Sequence, residues 1–125
     1  MDDPTTSTII ELAKEFIGLV RGIEPRWSNA YYRFRSEGLR YGSNASYVVD
    51  SNALLISAVK QAKFYESMNS KGAKLLALMG KEKGVFLLVA DSTFKYDVKF
   101  EWEDLHRWEI TKMNGGTGVP KGLVE

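Results

Sequence analysis

Acidic side chains concentrate near the C-terminal end of the sequence and are the first candidates for chemistry. They are Asp97, Glu101, Glu103, Asp104 and Glu109. Paired carboxylates can act as the acid and the base of glycosidic hydrolysis, but this spacing does not place two of them across one bond. Two other interpretations are open. The acids form either a solvated, helix-capping turn or an exposed cluster that docks on a basic partner, with Trp102 and Trp108 as anchors.

The residue types of this chain give little indication of a nucleophilic active site or a metal site. The only histidine is His106, and the chain has no cysteine. A lone histidine makes a poor transition-metal site, and the simpler interpretation is a half-exposed polar residue. No serine lies in a nucleophile elbow, and one histidine does not complete a convincing triad. We therefore expect no catalytic residue, no metal site and no cofactor, and we expect that the protein is not an enzyme.

Two further patterns could bind phosphate. Residues 31–35 (YYRFR) mix aromatic and basic side chains, which can stack bases and hold phosphates, but they lack the glycine-spaced pattern of an RNA-recognition strand. The simpler interpretation is a strand with one face in the core and its arginines facing water or pairing with glutamates. Residues 115–118 (GGTG) with Lys121 do not match a P-loop, and we interpret them as part of a flexible tail.

Composition and charge favour one soluble domain. The chain has 125 residues, 44% of them hydrophobic and 26% charged, with a net charge of +1. Near neutrality argues against bulk attraction to nucleic acid or anionic membrane. The charges are nevertheless segregated, because residues 26–40 and 60–83 are rich in basic side chains and residues 91–109 in acidic ones. This segregation fits a protein partner that is recognised by electrostatic complementarity.

The termini and the cysteine count favour the cytoplasm. The first residues, 1–4 (MDDP), are acidic where a signal peptide is basic, and no apolar run is as long as a membrane span. The absence of cysteine fits a reducing compartment.

Hydrophobic periodicity predicts the elements of the N-terminal half. Residues 5–20 carry one apolar stripe and predict a helix. Residues 27–35 and 41–50 predict two strands, which we expect to form an antiparallel hairpin.

A second helix is predicted after this hairpin, capped by residues 50–52 and broken near residues 69–72. The alternative for its last part is a short strand at residues 74–79. The expected buried face of this helix consists of Leu55, Ala58, Val59, Ala62 and Tyr65.

The C-terminal half predicts a central strand at residues 85–90 and an alternating strand at residues 94–100, with either a short helix or a final strand at residues 101–108. The fold class is α+β, an antiparallel sheet of about four to five strands with helices packed on one face. Residues 1–113 form the single domain and residues 114–125 the flexible C-terminal tail.

Two stretches of the sequence resemble a family. These are residues 27–32 (WSNAYY), which follow an amphipathic helix and a Glu-Pro pair, and residues 91–104 (DSTFKYDVKFEWED). Together they resemble small cytosolic immunity proteins of bacterial polymorphic-toxin and contact-dependent growth-inhibition systems. The resemblance implies a single α+β domain that is not an enzyme. It also implies a partner, the cognate toxin domain at the C-terminus of a large secreted protein, which the immunity protein neutralises by covering an active site, often that of a nuclease.

We therefore expect an immunity protein that binds its toxin tightly, without direct contact to nucleic acid or membrane. The expected partner-binding residues are Asp97, Glu101, Trp102, Glu103, Asp104 and Trp108. Two alternatives remain open, namely a nucleic-acid-binding module that uses residues 31–35 and the basic second helix, and a secretion chaperone or adaptor.

Overall fold

The computed structural model describes residues 3–123 as one five-stranded sheet with two helices. Every neighbouring pair of strands is antiparallel, and the order across the sheet is β3-β2-β1-β4-β5. The elements are α1 (Pro4–Ile23), β1 (Asn29–Glu37), β2 (Tyr41–Val49), β3 (Asn52–Leu55), α2 (Ala62–Leu78), β4 (Lys83–Asp91) and β5 (Tyr96–Glu101). The predicted α+β fold is confirmed.

Helix α1 forms where the apolar stripe predicts it. Asp3 caps its start by accepting a hydrogen bond from the backbone N–H of Thr5, and Pro4 occupies the first turn, where a missing N–H costs nothing. Leu12, Phe16 and Val20 are fully buried against the sheet.

Both helices pack on one face of the sheet, and aromatic side chains fill the space between the layers. Tyr32 and Phe34 on β1 and Phe86 on β4 are fully buried there, with ring centroids 5.2 Å apart for Phe34 and Phe86. The hydroxyl of Tyr32 donates to Asn69 Oδ1 of α2 at 2.8 Å. This hydrogen bond offsets the free-energy cost of burying the polar hydroxyl group.

The second face of the sheet is covered by chain without helix or strand. Trp108 and Ile110 pack on Val85 and Leu87, while the hydroxyl of Ser46 donates to the Gly118 carbonyl at 2.6 Å. Within the segment expected to be a flexible tail, Gly118 is thus held on the sheet, and Val119 and Leu123 pack against the same cluster. Residues 124–125 of that segment, and residues 1–2 of the acidic N-terminus, lie outside the described residues.

The prediction of a helix capped by residues 50–52 is wrong. Asp50 and Ser51 both have positive φ, 51° and 65°, and form a two-residue turn between β2 and β3. Helix α2 begins only at Ala62. Leu55 and Val59, expected in its buried face, are 47% and 90% exposed.

The expected break near residues 69–72 is also absent, because α2 runs without interruption from Ala62 to Leu78. Gly72 lies inside this helix, where a Cβ would come within 2.7 Å of Cδ2 of Phe34. Glycine is therefore required by close packing on the sheet rather than by a bend. Further along, β5 begins at Tyr96, and residues 102–108 form turns instead of a helix or strand. Over residues 3–123, no helix combines the length and the apolar character that crossing a membrane requires.

Candidate functional site

The predicted acidic residues lie on and just after β5, an edge strand of the sheet. Asp97 and Glu101 pair with Val89 and Val85 of β4, which places both on the face opposite the helices. Val98 and Phe100 point the other way, into the helix-packed core. The period of two that defined this strand thus separates its carboxylates from its apolar side chains.

Glu101 holds the turn that follows β5, which we call the acidic turn (residues 101–107). Its Oε1 accepts a hydrogen bond from Arg107 Nη1 at 2.6 Å. Its Oε2 accepts from the backbone N–H groups of Glu103 at 3.1 Å and Asp104 at 3.3 Å. The Arg107 guanidinium, followed by these two N–H groups, lowers the pKa of Glu101. Glu101 therefore acts mainly on its own chain.

Glu103 and Asp104 are the carboxylates that the acidic turn presents to solvent. Both residues are exposed. The position of Asp104 is fixed further, because its Oδ1 accepts from the backbone N–H of His106 at 3.0 Å. Asp97 is also exposed and forms an ion pair with Lys99 at 3.4 Å. The structure thus brings Glu101, Glu103 and Asp104 together and leaves Asp97 toward the other end of β5.

The two tryptophans of the predicted site have different environments. Trp102 is half-buried, stacks on Phe100 with centroids 5.4 Å apart, and lies under the Lys81 ammonium at 5.1 Å. Trp108 is only 4% exposed and belongs to the core on the second face. The expectation that Trp108 anchors a partner is corrected here, since a partner has almost no indole surface to contact.

The other sequence candidates are His106 and the glycines of residues 115–118, which lie in turns and irregular chain. His106 is exposed, and its Nδ1 lies 3.5 Å from Glu109 Oε2. Within residues 3–123, no group of three His, Asp or Glu side chains is arranged to hold a metal ion. Gly116 packs so closely on the Thr111 carbonyl that a Cβ would lie 2.3 Å from its oxygen, and the glycines of this segment serve a tight turn.

A second site includes Arg33 and Arg35 of the basic strand noted in the sequence and lies near the turn end of the β1–β2 hairpin, on the face opposite the helices. We call it the arginine groove, and its volume is about 450 Å³. Its principal lining residues are Arg33, Arg35, Glu37, Arg40, Gly42 and Asn44.

The strand register explains how this groove forms. Arg33 and Arg35 are two residues apart on β1 and so share one face. Asn44 and Gly42 stand directly across from them on β2. A Cβ on Gly42 would meet no atom within 4 Å, so the missing side chain leaves open space beside Arg35.

Arg33 is the best-fixed side chain of the arginine groove. Its Nε donates to the Arg107 carbonyl at 2.8 Å and its Nη2 to the Leu105 carbonyl at 2.7 Å. Arg35 Nε donates to the same Leu105 carbonyl at 3.0 Å and pairs with Glu37. The sequence interpretation that these arginines pair with glutamates or face water fits Arg35 but not Arg33, which is 8% exposed.

Burial lowers the pKa of Arg33, and the more distant carboxylates of Glu109 and Asp104 partly oppose this effect. An arginine nevertheless stays protonated in proteins. The groove therefore contains a permanent, largely desolvated positive charge.

No protein-family model matches the chain. No curated protein sequence matches it at a significant level.

Proposed function

We propose that this protein is a cytoplasmic immunity protein that binds a bacterial toxin domain and neutralises it by covering its active site. The observation that carries the proposal is the acidic turn. There, Glu103 and Asp104 are exposed while Glu101 and Arg107 hold the backbone beneath them. The resemblance of residues 27–32 and 91–104 to immunity proteins supports the same function.

A pre-ordered turn suits tight binding because little conformational entropy is lost when the partner arrives. Exposed carboxylates also speed encounter with a cationic surface, such as the substrate-binding groove of a nuclease. An inhibitor must leave almost no free toxin, so we expect nanomolar affinity or better, about −12 kcal/mol. That affinity calls for roughly 1,600 Å² of buried surface, to which half-buried Trp102 contributes an aromatic contact.

The first experiment is affinity purification of the tagged protein from its own bacterium, followed by mass spectrometry. We expect one stoichiometric partner, the C-terminal part of a large secreted protein, whose toxic activity the purified protein abolishes. Recovery of RNA, of many unrelated polypeptides, or of a partner whose activity is unaffected would overturn the proposal.

The second experiment tests the acidic turn in that complex. The double variant Glu103→Lys/Asp104→Lys should weaken toxin binding about tenfold to a hundredfold and reduce its dependence on salt. Glu101 is left unchanged, because its loss would disturb the turn itself. Glu11→Lys/Glu66→Lys is the matched control, since both side chains are exposed on the helices. Equal affinity for the two double variants would show that the acidic turn is not the docking surface.

A further inference from the structure

Arg33 is a buried cation that forms no direct ion pair among residues 3–123. The ion pairs of this part of the chain do not include it, and its two hydrogen bonds end on neutral backbone carbonyls. Removing a charge from water is expensive, and carbonyl dipoles replace only part of its hydration. The carboxylates of Glu109 and Asp104 act on Arg33 only from beyond ion-pair distance, so this buried arginine is well suited to receive an anion in direct contact.

The free hydrogen-bonding capacity of Arg33 points to the same conclusion. Its Nε and Nη2 are committed, whereas Nη1 has no acceptor within the described chain. No fully buried side-chain nitrogen or oxygen in this part of the chain lacks a partner. The Nη1 group therefore keeps solvent-accessible surface, and Arg33 is one of the residues that line the arginine groove.

Two more cations line the same groove. Arg40 is exposed and its guanidinium makes no hydrogen bond or ion pair within residues 3–123, so it is available to a ligand. Arg35 donates hydrogen bonds from Nε to the Leu105 carbonyl and from Nη2 to the Glu37 carboxylate. The guanidinium fork matches the two oxygens of a carboxylate, which makes arginine the usual partner of such groups.

We propose that the arginine groove binds a carboxylate-bearing segment of a partner protein, with Arg33 and Arg40 as its principal ligands. Two observations favour an acidic polypeptide over a nucleic acid. Glu37 lines the groove and would repel a nucleic-acid strand, in which every nucleotide carries a phosphate, whereas a polypeptide can place its carboxylates on the arginines and away from Glu37. Tyr31, Tyr32 and Phe34, the aromatic side chains of β1, are 3%, 0% and 0% exposed, so they offer no ring on which a base of a single-stranded nucleic acid could stack.

This inference does not depend on the partner being a toxin. The acidic turn and the arginine groove carry opposite charges on the same face of the sheet, so a partner that contacts both would need a basic region beside an acidic one. The groove can be tested without that partner, with small probes and the purified protein.

The test is a ¹H–¹⁵N NMR titration that follows backbone amides and arginine Nε–Hε groups. The probes are a capped tetraglutamate peptide, inorganic phosphate and a single-stranded oligouridylate, all at one low ionic strength. We expect the peptide to give saturable shifts at Arg33, Arg35 and Asn44 and to bind more tightly than the other two probes.

Two variants locate the binding. Arg40→Gln removes a guanidinium that makes no hydrogen bond or ion pair with residues 3–123, and Gly42→Leu fills open space. Each should weaken peptide binding about tenfold, the usual effect of one charged hydrogen bond. Arg21→Gln and exposed Gly18→Leu in α1 are the matched controls and should bind as the natural protein does.

Three results would overturn the proposal. The first is the absence of saturable shifts with the peptide. The second is tighter binding of the oligouridylate at the same residues, which would make the groove a nucleic-acid site. The third is equal affinity for phosphate and peptide, or equal loss of affinity in the control variants, which would show non-specific attraction of anions.

Discussion

Replacing Gly72 by alanine is expected to destabilise the protein, although alanine is the better helix former. Glycine inside a helix costs about 1 kcal/mol relative to alanine. Here the added methyl would lie 2.7 Å from Cδ2 and 3.0 Å from Cγ of Phe34. That ring is fully buried and stacks on Phe86, so it cannot swing aside as a flexible chain end could.

The net effect follows from comparing the two free energies. Forcing extra volume into a packed core costs about 1–3 kcal/mol. A contact close to Cγ of a ring that is packed on both sides should cost an amount in the upper part of that range. After the gain in helix propensity, Gly72→Ala should lower the free energy of unfolding by about 1–2 kcal/mol. At this chain length, that loss corresponds to a fall in Tm of roughly 4–8 °C.

Gly18→Ala is the matched control for this variant. Gly18 lies inside α1 and is exposed, and a methyl group added to its Cα would meet no atom within 4 Å. Its replacement should therefore show the propensity gain alone, about 1 kcal/mol of added stability. Urea unfolding followed by circular dichroism measures both variants. In a Phe34→Leu background, Gly72→Ala should cost less, because the opposing ring is gone. An equal stabilisation by both glycine replacements would refute the close packing of α2 on β1.

Three other perturbations test the structure at separate points. Glu101→Gln should lower Tm at neutral pH. Because the folded pKa of Glu101 lies below its ordinary value of 4.5, the difference from the natural protein should vanish as the pH falls through that folded pKa. Burial raises the pKa of Tyr32 strongly and that of Tyr65 to about 12. The free energy of unfolding should therefore fall as the pH rises above the ordinary tyrosine pKa of 10.0. Absorbance near 295 nm should show that both tyrosines ionise only when the protein unfolds. Trp108→Ala should cost about 3–5 kcal/mol in urea unfolding and Trp102→Ala distinctly less, since only Trp108 is fully enclosed; equal losses would contradict the assigned environments.

Local periodicity predicted most of the helix-packed core. The alternation around Tyr32 and Phe34 placed β1 correctly, and the stripe of α1 placed its buried face. Such patterns are reliable because they state directly which side chains share one face of an element. The acidic cluster after β5 was visible for the same reason, as a group of charges at the end of an alternating strand.

The wrong predictions of secondary structure concern residue types that suit more than one local structure. Asp50 and Ser51 are good helix caps, but they also tolerate the left-handed backbone of a tight hairpin turn, which is what they adopt. Gly72 was interpreted as a helix break because a sequence does not show the ring that packs against it. Close approach of two distant elements has no local signal.

The irregular chain that covers the second face of the sheet shows no hydrophobic periodicity in the sequence, so its position could not be predicted. It depends on contacts between distant parts of the chain, such as Asn44 Nδ2 donating to the Ile110 carbonyl at 2.6 Å. The arginine groove was missed for the same reason. Arg33 and Arg35 were visible as a basic strand face, but the carbonyls that orient them lie some 70 residues further along the chain.

The acidic turn, residues 101–107, shares contacts with the arginine groove. These shared contacts determine which variants affect only one of the two surfaces. Glu101 binds the side chain of Arg107, and the carbonyl of Arg107 accepts from Arg33. The carbonyl of Leu105 accepts from both Arg33 and Arg35. Replacing Arg33 or Glu101 should therefore alter both surfaces at once, whereas replacing Arg40 or Glu103 should alter only one. Partner binding that responds to Arg40 and Glu103 with additive losses would show two independent contacts, and a loss seen only with Arg33 or Glu101 would show that the segment supports the fold alone.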